Sequence, residues 1–194
     1  MLPHEKITAA IEGADGTALV AYITAGYPDK DRFGEHLLAA ADAADVLEIG
    51  VPFTDPMADG LTIQRSSQGA LAAGVSLTWI LDEIGRLPRR PDAPLVLMSY
   101  LNPLLAFGYE RLAQRAAEVG VAGFIVPDLP LDESAELDAA LNAEGLALIQ
   151  LVTPVTRDER LAESCAASRG FLYAVTVTGI TGGQADGGEI AGYL

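Results

Sequence analysis

The chain is 194 residues long and carries 27 acidic against 12 basic side chains, a formal net charge of −15. That balance argues against nucleic acid or an anionic membrane surface as a partner, and no apolar stretch approaches the roughly 20 residues of a membrane span. Half of the residues are hydrophobic, enough for a substantial core in a single domain, taken as 1–194.

In chain order, residues 3–13 read as a short amphipathic helix, with Ile7, Ala10 and Ile11 on one face. ALVAYITA (18–25) reads as the first strand, ended by Gly26 and Pro28, and 30–43 as a helix. A strand over 45–50 runs into a loop with Pro52, Asp55, Pro56, Asp59 and Gly60. Two helical pieces follow, 62–73 and 76–86, broken at Gly74, with Trp79 as a core anchor. LVLMSY (95–100) is the third strand, followed by a loop holding Asn102 and Pro103. A helix over 109–118 leads to the strand GFIVP (123–127). The loop 128–130 leads to a helix over 132–143 with Asp132 as its N-cap. LALIQLV (146–152) is the fifth strand, 157–168 a helix, and FLYAVT (171–176) the sixth strand. The last segment, VTGITGGQADGGEIAGYL, is Gly-rich and polar and reads as a loop.

Alternating strands and helices with short connections indicate a parallel α/β protein. A doubly wound sheet is one option, but the first strand lacks a GxGxxG turn. A (β/α)₈ barrel gathers its polar residues at strand C-termini. Here Tyr22, Thr24, Glu48, Ser99, Tyr100, Asp128, Thr153, Tyr173 and Thr176 all fall at such ends, so a barrel is expected.

Within VLEIGVPFTDPMADG (46–60), alternation puts Val46, Glu48 and Gly50 on one face of the strand and Leu47 and Ile49 on the other. Glu48 reads in two ways. A buried carboxylate titrates upward, which suits proton transfer near neutral pH; alternatively, it is structural and satisfied by nearby donors. Asp59 reads from pattern alone as a turn or cap residue, and Asp55 as a turn former. Cys165 is the sole cysteine; it reads as a small buried residue, and a single thiol fits a reducing, cytoplasmic setting. His4 and His36 lack ligand-like spacing, so no metal is expected.

The stretch LEIGVPFTDPMADGLTIQRSSQGAL (47–71) closely resembles the characteristic motif of the tryptophan synthase α subunit. AYITAGYP (21–28), MSYLNPLLAFG (98–108), GVAGFIVPDLPLDES (120–134) and FLYAVTVTGITG (171–182) resemble further family segments in the same order. The resemblance implies a TIM (β/α)₈ barrel and retro-aldol cleavage of indole-3-glycerol phosphate to indole and glyceraldehyde 3-phosphate in tryptophan biosynthesis. It implies Glu48 and Asp59 as catalytic acids. It places Tyr22, Tyr100, Ile125 and Tyr173 around the indole ring, with Thr181 and Gly182 on a closing loop. Pro52, Asp55 and Pro56 would meet a β subunit in an α2β2 assembly. The α part would need no cofactor, pyridoxal phosphate belonging to the β subunit.

A barrel of this type takes roughly 250 residues, so only the first six β/α units are expected here. The seventh and eighth strands and their phosphate-binding turns have no counterpart in the sequence. Six strands leave two open edges, and low stability or aggregation of the isolated chain is therefore expected. An alternative function is a catalytically weak partner that docks on the β subunit and modulates it. Another phosphate-sugar barrel isomerase is disfavoured by the pairing of Glu48 with Asp59.

Overall fold

The structure is a computed structural model that describes residues 1–175. The expectations for Thr176, Thr181, Gly182 and the Gly-rich segment lie outside those residues.

Five parallel strands lie side by side in chain order: β1 (Val20–Thr24), β2 (Val46–Gly50), β3 (Leu95–Met98), β4 (Val121–Ile125) and β5 (Ala147–Ile149). A second parallel pair, β6 (Leu151–Val152) with β7 (Tyr173–Ala174), continues the wall. Helices connect them: α1 (Pro3–Glu12), α2 (Phe33–Ala41), α3 (Leu61–Ala72), α4 (Leu77–Gly85), α5 (Leu101–Phe107), α6 (Tyr109–Val119), α7 (Ala135–Ala143) and α8 (Asp158–Ala167). Parallel strands in sequential order with helices between them form a partial (β/α) barrel.

Two apolar layers hold it together. The larger fills the space between sheet and helices, where Leu47, Ile49, Leu95, Leu97 and Phe124 meet Phe33, Leu37, Ile80, Leu81 and Leu112. The smaller lies inside the wall and contains Val46, Val96, Ala122, Ile125, Ala147 and Ile149. The expected alternation on β2 therefore holds, with Val46 inside and Leu47 and Ile49 outside. Each fully buried Leu, Ile or Phe contributes about 1.5–3 kcal/mol through the water it sheds.

Helix α1 lies across the N-terminal end of the strands. Its Ile7 is fully buried and reaches the inner layer, fitting against Gly123 and Gly170. A Cβ at those glycines would stand 3.3 Å and 3.0 Å from Ile7 carbons. The His4 Nδ1–H donates to the Gly145 carbonyl at 2.8 Å and anchors the helix. The bottom of the wall is thus closed by apolar packing, and polar groups collect at the other end.

Several expected elements differ. The segment holding Asn102 and Pro103 is helix α5, because the Asp128 carboxylate after β4 accepts from the Leu101 N–H at 2.9 Å and satisfies its first turn. The strand expected over 146–152 is broken at Gln150, whose N–H donates to the Ser168 hydroxyl (3.0 Å) and whose carbonyl accepts from the Tyr173 N–H (2.9 Å). The chain thereby changes partner from β4 to β7, and the expected sixth strand shortens to two described residues. Asp132 is not an N-cap: it lies in a 3₁₀ turn (Leu131–Glu133) and pairs with Arg160 of α8, while Ser134 precedes α7. Strand β4 starts earlier than expected, directly after the left-handed Gly120 that ends α6. Cys165 is exposed on α8, not buried. Trp79 is half-buried, its ring 5.3 Å from that of Phe33 and covered by the Lys30 ammonium at 5.1 Å.

Candidate active site

Strand register sets the site. Tyr22 pairs with Glu48, Glu48 with Val96, Val96 with Gly123 and Gly123 with Ala147. On this row the carboxyl of Glu48 has apolar or absent side chains on the β3 to β5 side. Glu48 is only 4% exposed. Loss of water disfavours the charged form, and burial pushes its carboxyl from 4.5 up to about 7. A group with that affinity holds and releases a proton at neutral pH.

Two residues further up the wall, Gly50 has no side chain because the Tyr22 hydroxyl fills the space; a Cβ there would lie 1.9 Å from that oxygen. The Tyr22 ring therefore leans across β2 beside Glu48. Burial raises its phenol, the Thr24 hydroxyl partly offsets this, and the charges of Asp59 and Glu48 add to the rise. Tyr173 on β7 is half-buried, and its phenol is also raised, by burial and then by the Glu48 charge. The Glu48 charge thus acts on both phenols, Tyr22 and Tyr173.

Asp59 reaches the site from the loop between β2 and α3. It does not cap α3, whose N-cap is Gly60; its carbonyl instead accepts from the Gln64 side chain at 2.9 Å. Tyr100, at the end of β3, holds this loop. Its hydroxyl accepts from the Ala58 N–H at 2.9 Å and interacts with the Asp59 carboxylate. Phe53 stacks on the Tyr100 ring at 5.3 Å. Burial raises the Asp59 carboxyl, and the Tyr100 hydroxyl opposes that rise. The Tyr100 phenol is pushed up to about 12, first by burial.

Tyr22, Glu48, Asp59, Tyr100 and Tyr173 thus meet at the C-terminal end of the strands. Ile125 is fully buried at the same end, paired with Met98 and Ile149. In the loop, Pro52 is buried, Pro56 half-buried and Asp55 exposed, with Met57 fully in solvent beside them. Sequence reasoning missed Ser66 of α3, which is buried and hydrogen-bonded to Thr24 at 2.7 Å. A serine on the inward face of a helix was the available signal. Among the described residues, no cluster of His, Cys, Asp and Glu is arranged to hold a metal, and no helix is long and apolar enough to cross a membrane.

Residues 9–189 match the family model described as tryptophan synthase alpha chain. The chain belongs to the tryptophan synthase alpha chain family. The alpha chain of Desulfovibrio desulfuricans is 50% identical over 186 residues, an alignment covering 95% of this chain and 72% of that protein. That of Nitratidesulfovibrio vulgaris is 48% identical over 179 residues, covering 92% and 70%. Among solved structures, tryptophan synthase from Mycobacterium tuberculosis superposes with a TM-score of 0.87 at 34% identity, over 98% of this chain and 74% of that one. The tryptophan synthase complex of Pyrococcus furiosus gives 0.76 at 38% identity, over 81% and 65%. The reaction of the alpha chain family is the cleavage of indole-3-glycerol phosphate to indole and glyceraldehyde 3-phosphate.

Proposed function

We propose that this chain is itself a carbon–carbon lyase of the α type, with Glu48 and Asp59 as its acids. The observation that carries the reading is the neutral-range carboxyl of Glu48, held inward by a fully buried strand at the polar end of the wall. Retro-aldol cleavage needs a proton delivered to indole C3 and another removed from the side-chain hydroxyl. The bond between C3 and the hydroxyl-bearing carbon then breaks, its electron pair returning to the indole ring as the C=O forms. A carboxyl that is partly protonated at neutral pH can serve both transfers. Asp59 accepts from the indole N–H and places negative charge where the ring becomes cationic.

Tyr22, Tyr100, Ile125 and Tyr173 enclose the ring. Pro52, Asp55 and Pro56 lie on the face offered to a β subunit, in an α2β2 assembly. The chain works in the cytoplasm and needs no cofactor or metal; pyridoxal phosphate belongs to the β subunit. The deciding experiment is indole release from indole-3-glycerol phosphate by the 194-residue chain, with and without β subunit, against a Glu48→Gln control. Turnover above the control is expected. Equal rates for the two, with and without β, would overturn the proposal.

A further inference from the structure

Asp59 belongs to a loop, yet the backbone on both sides of its side chain is tied down. The Ala58 N–H donates to the Tyr100 hydroxyl at 2.9 Å, and the Asp59 N–H to the Pro56 carbonyl at 3.3 Å. The Asp59 carbonyl accepts from the Gln64 side-chain amide at 2.9 Å. A carbonyl can only accept, so Gln64 turns its NH2 group toward Asp59. The Gln64 backbone N–H also donates to the Gly60 carbonyl at 3.0 Å, where α3 begins. One residue thus holds two successive carbonyls, those of Asp59 and Gly60.

Gln64 can do this only if the first turn of α3 is itself held, and a helix end frays unless something pins it. Its N-cap, Gly60, has no side chain to offer. The pin lies two residues after Gln64. Ser66 is buried, and its oxygen is 2.7 Å from that of Thr24, the last residue of β1. The Ser66 hydroxyl also reaches the Ile63 carbonyl at 2.9 Å, inside the same turn. Support therefore runs from β1 through Thr24 and Ser66 into α3, and from α3 through Gln64 to Asp59. Tyr100 supplies a second line from the end of β3.

We propose that Gln64 is a positioning residue of the site: by holding the Asp59 carbonyl it fixes the backbone from which the carboxylate is aimed. An Asp side chain has two torsions, and its rotamer choices follow from the backbone angles beneath it. Without the amide donor, the peptide joining Asp59 to Gly60 is free to rotate, and the carboxylate swings with it. Gln64 acts on the reaction only through Asp59.

The inference rests on the reading of Asp59 as the second acid, and its test has one arm that needs no turnover. Gln64→Met keeps the side-chain length and the helix preference but has no donor. Gln64→Glu keeps the shape and, as a carboxylate, can only accept; it serves alone if the first variant does not fold. In the full chain, amide hydrogen exchange read by NMR should quicken about tenfold at Ala58 and Asp59 in either variant, while the Leu47 amide on β2 keeps the parent rate. In the indole-release assay, either variant should lower kcat about tenfold, within the ~10²-fold that a 1 Å misplacement can cost. On an Asp59→Asn background, the same substitutions should cost nothing further. Parent exchange rates at Ala58 and Asp59 would overturn the proposal, as would a loss of kcat equally large on both backgrounds, which would mark Gln64 as mere support for the fold. If Asp59→Asn itself left release unchanged, the assignment of Asp59 would fall instead, and the exchange result would still show whether Gln64 holds its backbone.

Discussion

Glu48 and Asp59 face the same end of the wall but are held by different means. Glu48 stands on β2, whose five residues are all buried and which is flanked by β1 and β3 through ladder hydrogen bonds. Its direction follows from the strand period, and its proton affinity from the apolar row beside it. Asp59 stands in a loop whose neighbours Ala58 and Met57 are exposed, and its place depends on one phenol and one amide side chain. Burial raises both acids, yet only Asp59 has the Tyr100 hydroxyl opposing the rise. A strand fixes a charge by many small constraints, whereas a loop fixes it by a few identifiable ones. The first acid is therefore hard to move, and the second is tunable.

The largest expected effect tests the strand-borne acid. Glu48→Gln should reduce indole release about 10²–10⁴-fold, the usual worth of a positioned proton-transfer group, as read in a steady-state assay. Asp59→Asn should also slow release, and because burial raises this half-buried carboxyl, removing its charge should not lower stability at neutral pH; chemical denaturation checks this.

The fold should respond to Glu48 in the opposite sense to activity. Because the folded carboxyl is raised from 4.5 to about 7, the fold prefers its protonated form. That preference is fully present below 4.5 and lost as pH rises through about 7. Relative to the parent, Glu48→Gln should thus gain stability between pH 5 and pH 8, by up to about 3 kcal/mol at 1.36 kcal/mol per pH unit. Urea midpoints at the two pH values measure it, and a constant difference would mean that Glu48 is not desolvated.

Gly50→Ala should cost about 1–3 kcal/mol, as overpacking does, because its methyl meets the Tyr22 hydroxyl. Thermal melts read the loss. The smallest effect falls on the loop. Tyr100→Phe leaves the Ala58 N–H without its phenol partner, a cost of about 1 kcal/mol. It also removes the group that holds Asp59 down, so the Asp59 carboxyl should titrate higher; NMR titration of that carboxyl decides it.

Some of this was legible without coordinates. The inward face of Glu48 follows from alternation along a short apolar run, and the inner position of Val46 agrees with it. The order of strands and helices followed from hydrophobic period, and the loop motif carried the family. Asp59 was legible only through that motif, since its pattern reads as a turn. The exposed Cys165 was misread because a single small residue in a helix carries no facing signal of its own.

By itself, then, the sequence determined the alternating β/α order, the inward acid on β2 and the membership of the family, because these rest on local periodicity and on contiguous motifs. Only the tertiary structure decided that Asp128 makes α5 a helix, that Ser168 and Tyr173 break the fifth strand at Gln150, and that Arg160 claims Asp132. It also decided that Tyr22 lies over Gly50 and that Thr24 meets Ser66. Each of these joins atoms from separate segments, and the energy that settles them, burial of a polar group with its partner, exists only once the chain has brought those segments together.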